Sequence, residues 1–378
     1  MSQVFDFDNL VELCRRTHEE TQRSAARAID HSLVARNWLF GRYIVEYEQH
    51  GADRAEYGSQ LLAKIASRLQ RIGIKGSSVT RLKLYRRFYQ KQKEIGPTVS
   101  DQLASLASVD GTPAIRPTAS DESIPLENTI VLLKDRFSLG WSHYVTLLTI
   151  DNPEERRFYE LEAAGNGWSV RELERQINSS LYERLALSRD KEEVRRLASE
   201  GQVVEKASDL IKNPLVLEFL GLEEKPGYSE SELETAIIDR LQHFLLELGK
   251  GFLFEARQKR FTFDNNHFRV DLVFYNRLLR CYVLIDLKRG ELTHQDLGQM
   301  QMYVNYFDRY VKTDDELPTI GIVLCGRKND AVVELTLPEE ANIYASKYQL
   351  YLPSKQELVA QLESIQRELN YREGEDGE

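Results

Sequence analysis

Residues 268–290, FRVDLVFYNRLLRCYVLIDLKRG, decide how this chain folds. Two runs rich in β-branched and aromatic residues, Phe268–Tyr275 and Leu279–Leu287, flank a turn at Asn276–Arg277, so each predicts a strand and the pair a hairpin. Side chains alternate along a strand, which puts Asp286 and Lys288 on one face and Leu287 on the other. Asp271 interrupts the first strand as Asp286 interrupts the second. Pairing the strands through the short turn brings the two acids together. Burying two carboxylates in such apolar text is costly unless a cation or a network compensates them. Hard divalent ions such as magnesium take oxygen ligands of this kind.

Working outward, Phe252–Phe263 predicts a third strand, joined to the pair through Asp264-Asn265-Asn266. Ahead of it, Ser231–Leu248 predicts a helix with Leu233, Ile237, Leu241, Phe244 and Leu248 on its buried stripe, closed by Gly249 and Gly251. Downstream, Thr293 starts a helix that runs to about Tyr310. Thr319–Cys325 (TIGIVLC) is continuously apolar, as suits a strand covered on both faces. A short strand at Tyr348–Leu352 and a last helix ending near Tyr371 complete a mixed α/β sandwich.

The front of the chain differs in charge and in period. Residues 1–95 carry 17 Lys+Arg against 11 Asp+Glu, leaving 33 against 49 in the remainder of a chain whose net charge is -10. Between Leu61 and Lys93 there are ten basic residues and no acid, an arrangement that suits a polyanion. Residues 9–50 read as helical, and Tyr57–Leu69 as an amphipathic helix. A turn at Gly73 and Gly76 follows, then Ser77 or Ser78 as a cap, then a basic helix over Val79–Gln92. This is helix-turn-helix grammar, in which the second helix enters the major groove. Lys75, Ser77, Ser78, Arg81, Lys83, Arg86 and Arg87 are the candidate nucleic-acid contacts, with Leu82, Tyr85 and Tyr89 facing inward. Residues 96–125, rich in Pro, Ser, Thr and Ala, read as a mobile loop. Two further helices are expected at 153–164 and 170–182. Charged helical text over 183–228 then breaks at Pro226–Gly227. The expected organisation is a helical, DNA-binding domain over 1–184, a helical connector over 185–227, an α/β domain over 228–372 and an acidic tail over 373–378.

Several classes of function are excluded by what the chain lacks. No apolar run approaches a membrane span, and the first residues, with Asp6 and Asp8, do not resemble a signal peptide, so a cytoplasmic protein is expected. Cys14, Cys281 and Cys325 are far apart and form no CxxC, and the seven histidines are scattered, which disfavours zinc. No Walker-type loop, dinucleotide fingerprint or Ser-His-Asp order is present.

Asp271 followed by Asp286-Leu287-Lys288, after a helix bearing Glu234 and before one bearing Gln299 and Tyr303, resembles the PD-(D/E)XK nuclease superfamily. The stretches LELGKGFLFEARQKRF, FRVDLVFYNR and IDLKRGELTHQDLGQMQMY, with WSHYVTLLTI, FYELEAAGNGWSVRELERQI and LIKNPLVLEFLGL upstream, are similar to its YhcG-type branch. In that branch a helical N-terminal region precedes a restriction-endonuclease-like α/β domain with a mixed central sheet. Val270 stands where the motif has its proline.

The resemblance implies roles for named residues. Asp271 and Asp286 would be the metal-binding carboxylates, with the Leu287 carbonyl as a possible further ligand. Lys288 would orient or deprotonate the attacking water and stabilise charge at the phosphate. Glu234 would complete the metal shell or hold its water, although Glu232 and Asp239 lie close in sequence. Gln299 and Tyr303 would contact the site or the nucleic acid, with Gln301 competing for the first role and core packing for the second. His294 near the site reads as structural or solvent-facing. The implied activity is a magnesium-dependent endonuclease, manganese substituting, that acts on DNA as a homodimer. An RNA substrate, or a non-catalytic DNA-binding protein on the same fold, are the alternatives.

Overall fold

The computed structural model describes residues 7–50, 60–92, 126–187, 191–222, 227–338 and 341–360. The expected loop at 96–125, the acidic tail and the end of the last helix lie outside the described residues. No helix among the described residues is long and apolar enough to cross a membrane. The chain divides into two compact units, residues 1–174 and 175–378.

The first unit is helical: α1 (Phe7–His50), α2 (Leu61–Arg71), α3 (Val79–Gln92), α4 (Leu126–Arg136), α5 (Trp141–Leu147), α6 (Pro153–Asn166) and the start of α7 (Val170–Asn178). Helix α6 begins where Asn152 Oδ1 accepts the Glu154 and Glu155 amides at 2.8 and 3.2 Å, with Pro153 in the first turn, and it stops at Gly167 in the left-handed region. Helices α1 and α3 pack through Val34, Trp38, Leu82, Tyr85 and Tyr89, all buried, with Trp38 edge-on to Tyr89 at 5.0 Å. Gly41 makes this contact possible, since a Cβ there would sit 2.1 Å from the Tyr85 carbonyl oxygen. Gly41→Ala is therefore expected to cost about 2–3 kcal/mol by forcing α1 and α3 apart. Calorimetry of the full chain should show that loss, and an unchanged melting curve would contradict the packing described.

The second unit continues with α8 (Leu181–Ala186), α9 (Lys191–Glu200), β1 (Leu215–Val216), α10 (Glu230–Asp239), α11 (Leu241–Leu248), β2 (Phe252–Phe263), β3 (Asn266–Asn276), β4 (Cys281–Glu291), α12 (His294–Tyr310), β5 (Ile320–Arg327), α13 (Asp330–Thr336) and β6 (Ile343–Gln349). They form a six-stranded mixed sheet in the order β1-β6-β5-β4-β3-β2. Strand β3 runs antiparallel to its neighbours β2 and β4, while β4, β5, β6 and β1 are parallel. One face packs Leu272, Phe274, Ile285 and Leu287 against Leu233, Ile237 and Phe244 of α10 and α11. The other packs Val273, Leu284, Val323 and Cys325 against Leu297, Met300, Tyr303 and Phe307 of α12. Each strand of the centre is thus covered on both sides, as its apolar text requires.

Several elements depart from the sequence reading. The helix expected over Ser231–Leu248 is two helices, broken at Arg240. The last strand is Ile343–Gln349 rather than Tyr348–Leu352, because Gly321 to Cys325 pair with Ile343 to Lys347. The text between 183 and 228 is not wholly helical: Leu215–Val216 pairs with Tyr348–Gln349, so this stretch supplies a strand to the sheet.

That stretch also supplies a buried ionic knot. Glu247 is fully buried; its Oε1 accepts from Arg184 Nη1 at 2.5 Å and from the Val216 amide at 3.0 Å, and its Oε2 from Arg175 Nη2 at 3.2 Å. Lys212 Nζ donates to the Glu247 carbonyl. Burial pushes this carboxyl up, but Arg184, Lys212 and Arg175 outweigh it and hold it down at about 2.

Candidate active site

Strands β3 and β4 pair from Asn276↔Cys281 up to Leu272↔Ile285 and then part. The next residues in that register are Asp271 and Asp286. Instead of a main-chain rung, Asp271 Oδ2 accepts the Leu287 amide at 2.8 Å, so its carboxylate lies in the opening between the strands. Asp286 is 3% exposed. Lys288, two residues on and on the same face, places Nζ 2.7 Å from Asp286 Oδ2 and 4.0 Å from Asp296 Oδ1. The buried Asp286 Oδ2 therefore has the Lys288 ammonium as its ion-pair partner, and the Asp271 carboxylate bears on the same group.

The electrostatics follow from this crowding. Burial, then the neighbouring Asp271 charge, push Asp286 up to about 7, against the pull of Lys288. Burial alone would lower Lys288, but the Asp286 charge outweighs it and the ammonium is held charged. A lysine so held suits charge stabilisation and water orientation better than taking a proton.

Other expected residues are distributed around this pair. Glu234 is buried, whereas Glu232 closes the cap of α10 on Ser229 and Asp239 is exposed. Its carboxylate does not join the acid pair directly: Oε1 meets Arg257 Nε at 2.5 Å and Oε2 accepts from Gln258 Nε2 at 2.8 Å. On α12, capped by Thr293 and Asp296, Gln299 Nε2 donates to the Tyr303 hydroxyl. Tyr303 is buried, edge-on to Phe261 at 5.6 Å, and burial chiefly, with the charges of Asp286 and Asp271, shifts it upward against the Gln299 hydrogen bond and the Lys288 charge. It is both core and neighbour of the acids. Gln301 lines an aromatic cavity with Phe261, Tyr306 and Tyr310, and His294 is exposed. Gln258, unremarked in the sequence, bridges Glu234 and Asp271, at 2.9 Å from Asp271 Oδ1. In the sequence it is marked only by its place directly before Lys259–Arg260 on a strand opposite Asp271.

No three His, Cys, Asp or Glu side chains converge into a cation site among the described residues. Two carboxylates do come together: the Asp271 charge bears on the buried Asp286, which keeps the Lys288 ammonium at 2.7 Å. Magnesium is commonly held by one or two carboxylates, with waters and substrate phosphate completing its shell, so Asp271 and Asp286 fit such an ion.

In the first unit, Lys75, Arg81 and Lys83 are exposed, while Arg86 pairs with Glu48 at 2.8 Å and Arg87 approaches Asp151 at 3.4 Å. Ser78 Oγ accepts the Arg81 amide at 3.4 Å as a weak cap. Ser77 is 2% exposed and donates to the Ile74 carbonyl, which turns it into the fold. On β2, in the second unit, Arg257 is engaged by Glu234 and Lys259 lies 3.2 Å from Glu255.

Comparison with known proteins places this arrangement. Residues 208–363 match the model of the YhcG PDDEXK nuclease domain, and residues 14–184 that of the DUF1016 N-terminal domain. The chain is 38% identical over 359 residues to the Escherichia coli (strain K12) protein named "Putative nuclease YhcG", covering 94% of this chain and 92% of that one. The chain belongs to the YhcG family of PD-(D/E)XK nuclease-domain proteins. All the residues around the acid pair, from Glu234 to Tyr303, fall within the nuclease-domain match, and the basic helices α2 and α3 within the N-terminal one. Among solved structures, a repair endonuclease from Pyrococcus abyssi is 19% identical over 35% of this chain and 51% of its own, with a TM-score of 0.24. The structure titled EndoMS-dsDNA2 complex is 20% identical over 35% and 49%, also at 0.24. Likeness at that score carries no argument about the site.

Proposed function

We propose that this protein is a divalent-metal-dependent endonuclease that hydrolyses phosphodiester bonds in DNA, with the nucleic acid gripped by the basic helices of the first unit. The observation that carries this reading is the meeting of Asp271, the buried Asp286 and Lys288 where β3 and β4 part. Asp271 and Asp286 would hold magnesium, or manganese in its place, with the Leu287 carbonyl between them as a further donor. Such an ion supplies Lewis-acid polarisation of the phosphoryl oxygen and a more acidic bound water. Lys288, charged and 20% exposed, would orient the attacking water and offset the charge that grows on the phosphate. Glu234, buried beside Gln258, would hold a water of the metal shell. Gln299 and Tyr303 would fix the wall of the site that faces the scissile strand.

Lys75, Arg81 and Lys83 are exposed on or beside α3 and would neutralise phosphates, making affinity fall steeply with salt. Arg86 and Arg87 would exchange Glu48 and Asp151 for phosphate. Ser77 contributes to the turn rather than to contact. A homodimer would bring two sites to the two strands of a duplex.

The test is incubation of the purified full chain with linear, nicked and branched DNA, and with duplex RNA, in magnesium, manganese or chelator. Metal-dependent cutting of DNA, lost in Lys288→Ala, is the expected result. Tight binding without cutting in any metal would sink the enzymatic reading in favour of a DNA-binding protein. Preferential cutting of RNA would change the substrate.

A further inference from the structure

Gln258 has the most unusual backbone beside the acid pair. Its φ is 50°, in the left-handed region, where the Cβ of an ordinary residue crowds the backbone and glycine does not. It stands in β2 between Arg257↔Leu272 and Lys259↔Val270, the position opposite Asp271, where no rung is formed. Strand alternation breaks at the same place on β3. Val270 and Val273 both pack on the α12 side of the sheet, while Leu272 and Phe274 pack on the other. Irregularities of this sort re-aim a side chain, and strained backbone is kept where the surrounding structure uses it.

The side chain shows the use. Gln258 Nε2 donates at 2.8 Å to Glu234 Oε2 and at 2.9 Å to Asp271 Oδ1, so one amide satisfies carboxylates from a helix and a strand. The amide can face only this way, since its carbonyl turned toward two carboxylates would meet two acceptors and no donor. Asp271 is consequently held at both oxygens, by β2 through Gln258 and by β4 through the Leu287 amide. Leu287 lies between Asp286 and Lys288, so the clamp also ties the two acid-bearing strands where their ladder ends.

We propose that Gln258 is a positioning residue of the site: its amide fixes Asp271 against the Leu287 amide, with Glu234 beside it, before a divalent ion arrives. This rests on the reading of Asp271 and Asp286 as the metal-holding pair. Two carboxylates brought together repel, and the neutral Gln258 donor between Asp271 and Glu234, with Arg257 on the other oxygen of Glu234, offsets that repulsion. The ion then meets oriented ligands, and the cost of ordering them is not charged to binding.

The experiment uses full-length Gln258→Gly and Gln258→Glu beside the wild type, all metal-free at the start. Glycine keeps the left-handed turn and removes the amide; glutamate keeps the length and removes both donors. Hydrogen exchange at the Leu287 amide is expected to quicken at least about tenfold in both variants, while Gln258→Gly melts no lower than the wild type. Calorimetric titration with manganese alone should show affinity reduced about tenfold or more in Gln258→Gly. Wild-type exchange at Leu287, or wild-type manganese affinity, in that variant overturns the role of Gln258 while leaving the nuclease reading intact. A Gln258→Gly protein that melts several degrees lower makes the residue a strut of the fold and overturns it too. A wild type that takes up no manganese overturns the metal-holding reading itself, and the clamp's purpose with it.

Discussion

Asp286→Asn is expected to abolish cleavage, by on the order of a thousandfold or more, and at the same time to make the metal-free protein more stable. The first effect follows from losing one of the two carboxylates that fit a divalent ion. The second follows from burial: Asp286 is 3% exposed, next to Asp271, and is pushed from an ordinary 3.8 up to about 7. Between those two values the folded chain keeps a proton that the unfolded chain has released, so stability falls as pH rises through this window. Above about pH 7 the ionised carboxylate costs the fold at most on the order of 4 kcal/mol. Asparagine has the same shape and no charge to bury. At pH 8 the variant should melt roughly 5 °C above the wild type, and the difference should close toward pH 4. A variant that melts lower at pH 8 would contradict the account of why this carboxylate is strained. A site that costs stability when empty and recovers it when filled is a site arranged for a ligand.

Glu247→Gln is expected to do the opposite and unfold the second unit. Glu247 and Arg184 are both fully buried, and the carboxylate also answers Arg175 and the Val216 amide. Removing its charge leaves a buried guanidinium without its anion, a change that costs about 3–5 kcal/mol. The melting temperature should fall by roughly 10 °C, taking activity with it at elevated temperature while the acid pair itself is untouched. Because Glu247 is held down at about 2, its contribution is whole above pH 4.5 and disappears as pH falls toward 2, worth roughly 3 kcal/mol. Wild type and variant should therefore converge in acid. Urea unfolding at pH 7 and at pH 3 reads both statements, and equal stability at pH 7 would show that the knot contributes nothing.

The sequence disclosed those parts of the fold that obey a simple period. Asp286 and Lys288 share a face because β4 alternates regularly, and Leu287 packs on the other side, as two-residue periodicity demands. Gln299 and Tyr303 touch because they lie one helical turn apart on α12. What escaped was everything set by tertiary partners or by broken regularity. Strand β1 is two residues long, too short for any pattern, and exists because β6 offers it an edge. Glu247 reads as the polar side of an amphipathic helix, and only the arrival of Arg184 and Arg175 from elsewhere in the chain makes it the centre of the fold. Gln258 reads as solvent-facing text in an irregular strand. Its importance comes from a left-handed backbone and a disrupted rung, neither of which glutamine announces. Glu234 is legible in the sequence as an acid on the helix before the sheet, but its ties to Arg257 and, through Gln258, to Asp271 are not.

The central claim is that Asp271 and Asp286 jointly hold a divalent ion at the point where β3 and β4 separate. An anomalous-difference map from a crystal of this protein with manganese and a short DNA oligonucleotide tests it most directly. The account predicts a metal peak about 2.2 Å from a carboxylate oxygen of each of the two acids, with a phosphate oxygen on the ion and Lys288 facing that phosphate. A peak elsewhere, or a bound oligonucleotide with the two carboxylates bare and apart, would contradict it.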